Sequence, residues 1–155
     1  MDKLAHPGHG LEEHLRSVAA RAGAYAAPFG AAEWAALVGL WHDLGKYRPG
    51  FQARIRAADG GDAHLETLLG KVPHAIVGAL HARSLGLNGT LLGYPIAGHH
   101  AGLPDWLPDD APGTALSQAL LDPQGAMGGE LHCLNSPAAP TGDAKMAAQI
   151  GIAQG

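Results

Sequence analysis

In the stretch "GLWHDLGKYRPGFQ", residues 39–52, a histidine stands directly beside an aspartate at the end of an apolar run, and the chain carries ten histidines in all. His14 lies three residues after Leu11 and four before Val18, on the apolar face of a helix. His74 opens another helical segment, and His81, seven residues on, falls on nearly the same face. His99 and His100 are adjacent at the end of an apolar segment. Taken singly, each reads as a hydrogen-bonded core residue or an ordinary surface one. His6, His9, His64 and His132, in loops or the tail, read that way even in combination. The others, on four helical segments, point to more. Burying several imidazoles and a carboxylate together is costly unless something compensates them, and a metal ion does so directly. Mixed His/Asp donors without thiolate suit manganese, iron, cobalt, nickel or zinc. An adjacent His-Asp pair also lets one carboxylate bridge two ions with histidines on each side. Two ions about 3.5–4 Å apart can activate a water and stabilise the leaving oxygen of a phosphodiester.

Elements must bring these residues together, and the sequence predicts that they are all helical. "LEEHLRSVAARAGAYAAPF" repeats apolar residues at helical spacing until Pro28 and Gly30 break it. "AAEWAALVGLWHDL" sets Trp34, Leu37, Val38, Trp41 and Leu44 on one side, with Gly45 suited to the position just past a helix end. Residues 46–63 read as a loop holding a short helix around residues 51–58. A third clear helix starts near Pro73 and runs to Gly86. Residues 89–102 are apolar and helical, with Pro95 bending the helix or starting a new turn, and a short helix falls within 113–121. From Asp122 the chain is rich in Gly, Pro and Ala, so residues 1–121 read as the domain and 122–155 as a weakly ordered tail. No alternating strand pattern competes. The expectation is an all-α helical bundle.

Composition narrows the class. Apolar residues make up 46% and charged residues 15%, which favours a folded globular chain over a disordered one. Cys133 is the only cysteine, excluding an intramolecular disulfide and a Cys-rich zinc site. The start lacks a signal-peptide core and no apolar run approaches the ~20 residues of a membrane span, so a soluble cytoplasmic protein without membrane contact is expected. A net charge of −4 does not announce a nucleic-acid binder. Locally, however, Lys46, Arg48, Arg54 and Arg56 fall within eleven positions, interleaved with Tyr47 and Phe51. Such a segment can guide a phosphate backbone while the rings stack bases. The competing reading is a solvated loop with Phe51 packed inward.

The motifs "AHPGHGLEEHLRSVAARA", "GLWHDLGKYRPGFQ", "PHAIVGAL" and "IAGHHAGLPDW", in this order, carry a family resemblance. The HD pair alone indicates the wider HD phosphohydrolase superfamily. With "HDLGKYRPGFQ" followed by "GHHAGLPD", residues 4–121 resemble the HD nuclease domain of the CRISPR-associated helicase–nuclease of type I interference systems. The resemblance implies an HD-domain-like helical bundle that cleaves single-stranded DNA, as endonuclease and exonuclease, with two divalent ions (Mn, Ni, Co, Fe or Zn, or Mg). It implies metal ligands at His14, His42, Asp43, His74, His99 and His100, and catalytic roles for Asp43 and for Lys46, the latter on phosphate. His6 matches an N-terminal histidine of the family that serine commonly follows; here Pro7 does. The implied partners are a CRISPR helicase subunit or domain and the RNA-guided surveillance complex. The family closes its site with a further aspartate well beyond the histidine doublet. No later segment here matches it, Asp143 being the only candidate, so the bundle reads as incomplete at its C-terminal side. Two other readings stay open: a stand-alone HD phosphohydrolase acting on a nucleotide, and a catalytically incomplete fragment that binds metal.

Overall fold

The computed structural model describes residues 2–58, 74–108 and 115–122. A hairpin opens it: β1 (Leu4–His6) pairs antiparallel with β2 (His9–Gly10). Six helices follow among the described residues: α1 (Leu11–Ala26), α2 (Ala32–Trp41), α3 (Pro49–Ala58), α4 (Ala75–Arg83), α5 (Leu87–Gly98) and α6 (Leu116–Leu121). Short 3₁₀ turns occupy Ala27–Phe29 and Leu44–Tyr47. The all-α expectation holds, with one correction. The hairpin is too short for an alternating pattern to reveal, and the visible signal was the dipeptide Pro7-Gly8. Gly8 takes a φ of 73°, as the third position of a tight turn requires when proline precedes it.

α1 packs along α2 and α4 along α5, and α2 joins the two pairs. Leu11 and Leu15 from α1, Leu37 and Trp41 from α2, Leu44, Val77 and Ile96 form the buried centre. Burying each such side chain contributes roughly 1.5–3 kcal/mol against leaving it in water. The first backbone N–H of α1, on Leu11, donates to the Lys3 carbonyl 2.8 Å away, so the hairpin end caps a helix that has no side-chain cap. Glu12 and Glu13 in the first turn add charge of the favourable sign. The apolar spacing along α2 holds: Leu37, Trp41 and Leu44 are buried, and Trp34 and Val38 pack against the same core.

Elsewhere the structure departs from expectation in detail. The short helix expected around residues 51–58 is present as α3; it begins two residues earlier, at Pro49, where a missing N–H costs nothing, and a 3₁₀ turn rather than an open loop leads into it. α5 runs through Pro95. Pro95 and Leu91, whose carbonyl would have taken the missing bond, both lie on the exposed face, where water can serve that carbonyl. Gly45 is not a left-handed helix terminator, since it is absent from the glycines with positive φ. A Cβ there would lie 2.3 Å from the His74 carbonyl oxygen, so glycine is needed for close approach. Gly78 in α4 serves likewise, a Cβ there falling 2.0 Å from the Trp41 carbonyl oxygen. These two glycines press the start of α4 against the end of α2. Of the expected tail, residues 123–155 lie outside the described residues.

Candidate metal centre

The six histidine and aspartate residues singled out above sit where helices begin or end. His42 directly follows α2 and Asp43 immediately precedes the 3₁₀ turn. His74 precedes α4, and His99 and His100 follow α5. His14 stands one turn into α1. Helix ends meeting at one place let side chains from four elements converge, and they converge on Asp43.

The Asp43 side chain is 3% exposed. Its Oδ2 lies 3.1 Å from His42 Nε2, 3.3 Å from His14 Nε2 and 3.0 Å from Lys46 Nζ. Its Oδ1 lies 3.3 Å from His74 Nε2 and 3.4 Å from His99 Nε2. His100 Nε2 is 2.8 Å from His74 Nε2, and the Nε2 atoms of His14 and His42 are 3.3 Å apart. The donors of His14, His42 and Asp43 all lie within 4.8 Å of one another, as do those of Asp43, His74, His99 and His100. The structure therefore brings all six together, in two groups that share the aspartate.

Two backbone carbonyls fix how the imidazoles face inward. A carbonyl only accepts, so His42 Nδ1–H donates to Gly39 O at 2.8 Å and His99 Nδ1–H to Ile96 O at 2.7 Å. In a neutral ring that assignment leaves Nε2 as a lone pair aimed at carboxylate oxygen, acceptor against acceptor. Among the described residues, Asp43 Oδ1 and His99 Nε2 are accordingly buried with no hydrogen-bond partner, close in distance but not aligned as a bond. Only a proton or a cation between such groups relieves them. Donor chemistry, tautomers set by outer carbonyls and the orphaned atoms all fit a divalent ion.

The electrostatics agree. Burial alone would raise the Asp43 carboxyl, but the contacts of His42, His74 and His99 outweigh it and hold the group well below the usual carboxylate range. Burial lowers His14, offset in part by Asp43. For His99 burial is overcome by Asp43 and the Ile96 carbonyl, and its pKa rises. Burial, then His99 and His74, lowers His100.

The basic segment is divided by burial. Lys46 and Arg48 are 4% and 3% exposed, so the expectation of four surface cations is corrected to two. The Lys46 ammonium pairs with Asp43, donates to the Ala5 carbonyl at 3.3 Å and sits 5.6 Å from the centre of the Phe51 ring. Phe51 itself is half-buried against His74, ring centres 5.3 Å apart. Arg54 and Arg56 are half-buried, and Arg56 donates to the Asp2 carbonyl at 3.1 Å. Arg83 donates to the Leu120 carbonyl and ties α4 to α6. His81 packs edge-on against Trp41, away from the cluster. His64, His132 and Asp143 lie outside the described residues.

Sequence reasoning missed Gln52, which is 1% exposed. Its Oε1 accepts from the Leu4 N–H at 2.9 Å, and its Nε2 donates to the Leu4 and Lys46 carbonyls at 2.8 and 2.7 Å. A polar residue beside Phe51 on a helix gives no local sign that it will be enclosed.

A helical bundle that gathers five imidazoles around one aspartate from a His-Asp pair defines an HD-type domain. Compared with known families, the sequence matches that described as "Cas3, HD domain" over residues 5–127, and the chain belongs to that family. The family is one of CRISPR-associated HD nucleases, whose domains bind divalent metals. No curated protein matches the sequence. Among the described residues, no helix is long and apolar enough to cross a membrane.

Proposed function

We infer that the chain is a metal-dependent nuclease that cleaves single-stranded DNA in type I CRISPR interference, holding two divalent transition-metal ions through His14, His42, Asp43, His74, His99 and His100. The observation that carries this reading is the division of Asp43: one oxygen faces His14 and His42, the other faces His74 and His99. The two groups of donors that share Asp43 would hold the ions, which would supply Lewis-acid activation of a water and electrostatic stabilisation at the phosphodiester.

The chain's own residues prepare the site. Asp43 is held at Oδ2 by the buried Lys46 ammonium, whose charge compensates the carboxylate and stops it rotating away. Lys46 acts as a positioning residue, because its nitrogen is spent on Asp43 and Ala5. The Gly39 and Ile96 carbonyls keep Nε2 of His42 and His99 presented to the site. Arg54 and Arg56, reachable from solvent, are the phosphate contacts of the former basic run. Family membership supports a helicase subunit or domain and an RNA-guided complex as partners.

The test is degradation of circular single-stranded DNA with manganese, run beside metal analysis, for the chain and its Asp43→Ala variant. Cleavage lost in the variant with helical content intact supports the reading, and equal cleavage in both refutes it. Hydrolysis of a cyclic nucleotide without DNA cleavage would move the assignment to a stand-alone phosphohydrolase. Bound metal without either activity would make the domain catalytically incomplete.

A further inference from the structure

The opening hairpin supplies none of the donors grouped around Asp43, yet it lies against them. His6 and His9 are cross-strand partners in its register, and directly opposed residues of an antiparallel pair project to the same face. Both rings meet His14 edge-on, with centroids 5.5 and 5.7 Å from it and ring planes at 90° and 89°. His14 is half-buried and turned toward Asp43, whereas His6 and His9 are exposed. The hairpin is also firmly anchored. Buried Gln52 bonds both backbone groups of Leu4 and the carbonyl of Lys46, and the Lys46 ammonium bonds Ala5. One amide and one ammonium thus fasten the hairpin to the 3₁₀ turn that follows Asp43.

We propose that this hairpin is one jaw of the substrate site, and that the imidazoles of His6 and His9 bind phosphate oxygens of single-stranded DNA beside the scissile phosphate. The inference rests on the nuclease reading above. Phosphate suits these residues better than metal does, since among the described residues the convergent donor groups leave both of them out. An imidazole keeps at least one N–H donor in either protonation state, and a phosphodiester offers only acceptors. Rigid placement matters too: a donor pair held in position loses little freedom on binding.

The experiment measures anisotropy of a labelled oligothymidylate with metal-free protein, so that binding is read without cleavage. Replacing both residues, His6→Ala with His9→Ala, should weaken binding about tenfold, the scale of losing charge-assisted hydrogen bonds. Cobalt titration and melting temperature should stay unchanged. The pair His6→Asn with His9→Asn, which keeps an N–H donor at each position, should recover part of the affinity. Unchanged affinity in the alanine pair, with the unaltered chain binding DNA, overturns the jaw alone. Loss of cobalt binding overturns it in favour of a ligand role. An unaltered chain that binds no DNA overturns the nuclease reading and the jaw with it.

Discussion

Replacing Gly45 by alanine tests whether close backbone approach builds the site. The added Cβ would stand 2.3 Å from the His74 carbonyl oxygen, 2.5 Å from its Cα and 2.8 Å from its carbonyl carbon. All three are backbone atoms, so no rotamer change relieves the contact. Ordinary van der Waals contact begins at 3.4 Å, so the nearest atom must retreat by 1.1 Å (3.4 − 2.3). Gly45 does not have a positive φ, so alanine carries no conformational penalty there. Without the clash, the substitution would stabilise the chain by about 0.4–1 kcal/mol through the unfolded state. With it, overpacking costs about 1–3 kcal/mol, and the sign of the change reports which applies. His74 would move by about 1 Å, several times the ~0.2 Å tolerance of a metal-ligand distance. The group of Asp43, His74, His99 and His100 should therefore lose affinity, while His14, His42 and Asp43, which do not touch this contact, keep theirs. Urea unfolding and a cobalt titration measure both effects. A variant as stable as the parent, or more so, with full cobalt binding would refute the argument.

Three other outcomes follow from particular side chains. The Tyr47 hydroxyl is buried without a hydrogen-bond partner among the described residues, and burial with Glu12 nearby raises its pKa to about 12; Tyr47→Phe should leave stability unchanged or raise it by about 1 kcal/mol in urea unfolding, and a loss would reveal a partner. Gln52→Leu strips bonds from the Leu4 N–H and the Leu4 and Lys46 carbonyls, so it should cost about 2–4 kcal/mol; a loss below about 1 kcal/mol would show that the hairpin is not fastened there. Metal binding requires neutral imidazoles, and His99 has a raised pKa while His14 and His100 have lowered ones. Cobalt affinity should therefore start to fall as pH drops through the raised His99 value, above the ordinary ~6.5, with His14 and His100 resisting further acidification; affinity flat from pH 8 to 6 would exclude this. The Asp43 contribution to folding runs the other way: its depressed pKa makes it fully present above the unfolded value of about 4 and lost as pH falls below that.

What the sequence by itself determined is local. Apolar spacing is a property of neighbours along one helix, so α1, α2, and the burial of Leu15, Leu37 and Trp41 were legible. The adjacency of His42 and Asp43 at a helix end was legible too, because ligand type and order need no fold. Contacts between distant segments were not. Lys46 and Arg48 read as surface charge, since nothing nearby in sequence shows that Ala5, forty-one residues earlier, supplies a carbonyl to the ammonium. Gly45 read as a helix terminator because the His74 backbone it accommodates lies beyond a long intervening stretch. The same reason governs Asp43. Its two oxygens become different only when α1 and α2 deliver imidazoles to one side and the starts and ends of α4 and α5 deliver them to the other, and that division belongs to the packing of helices rather than to any spacing along the chain.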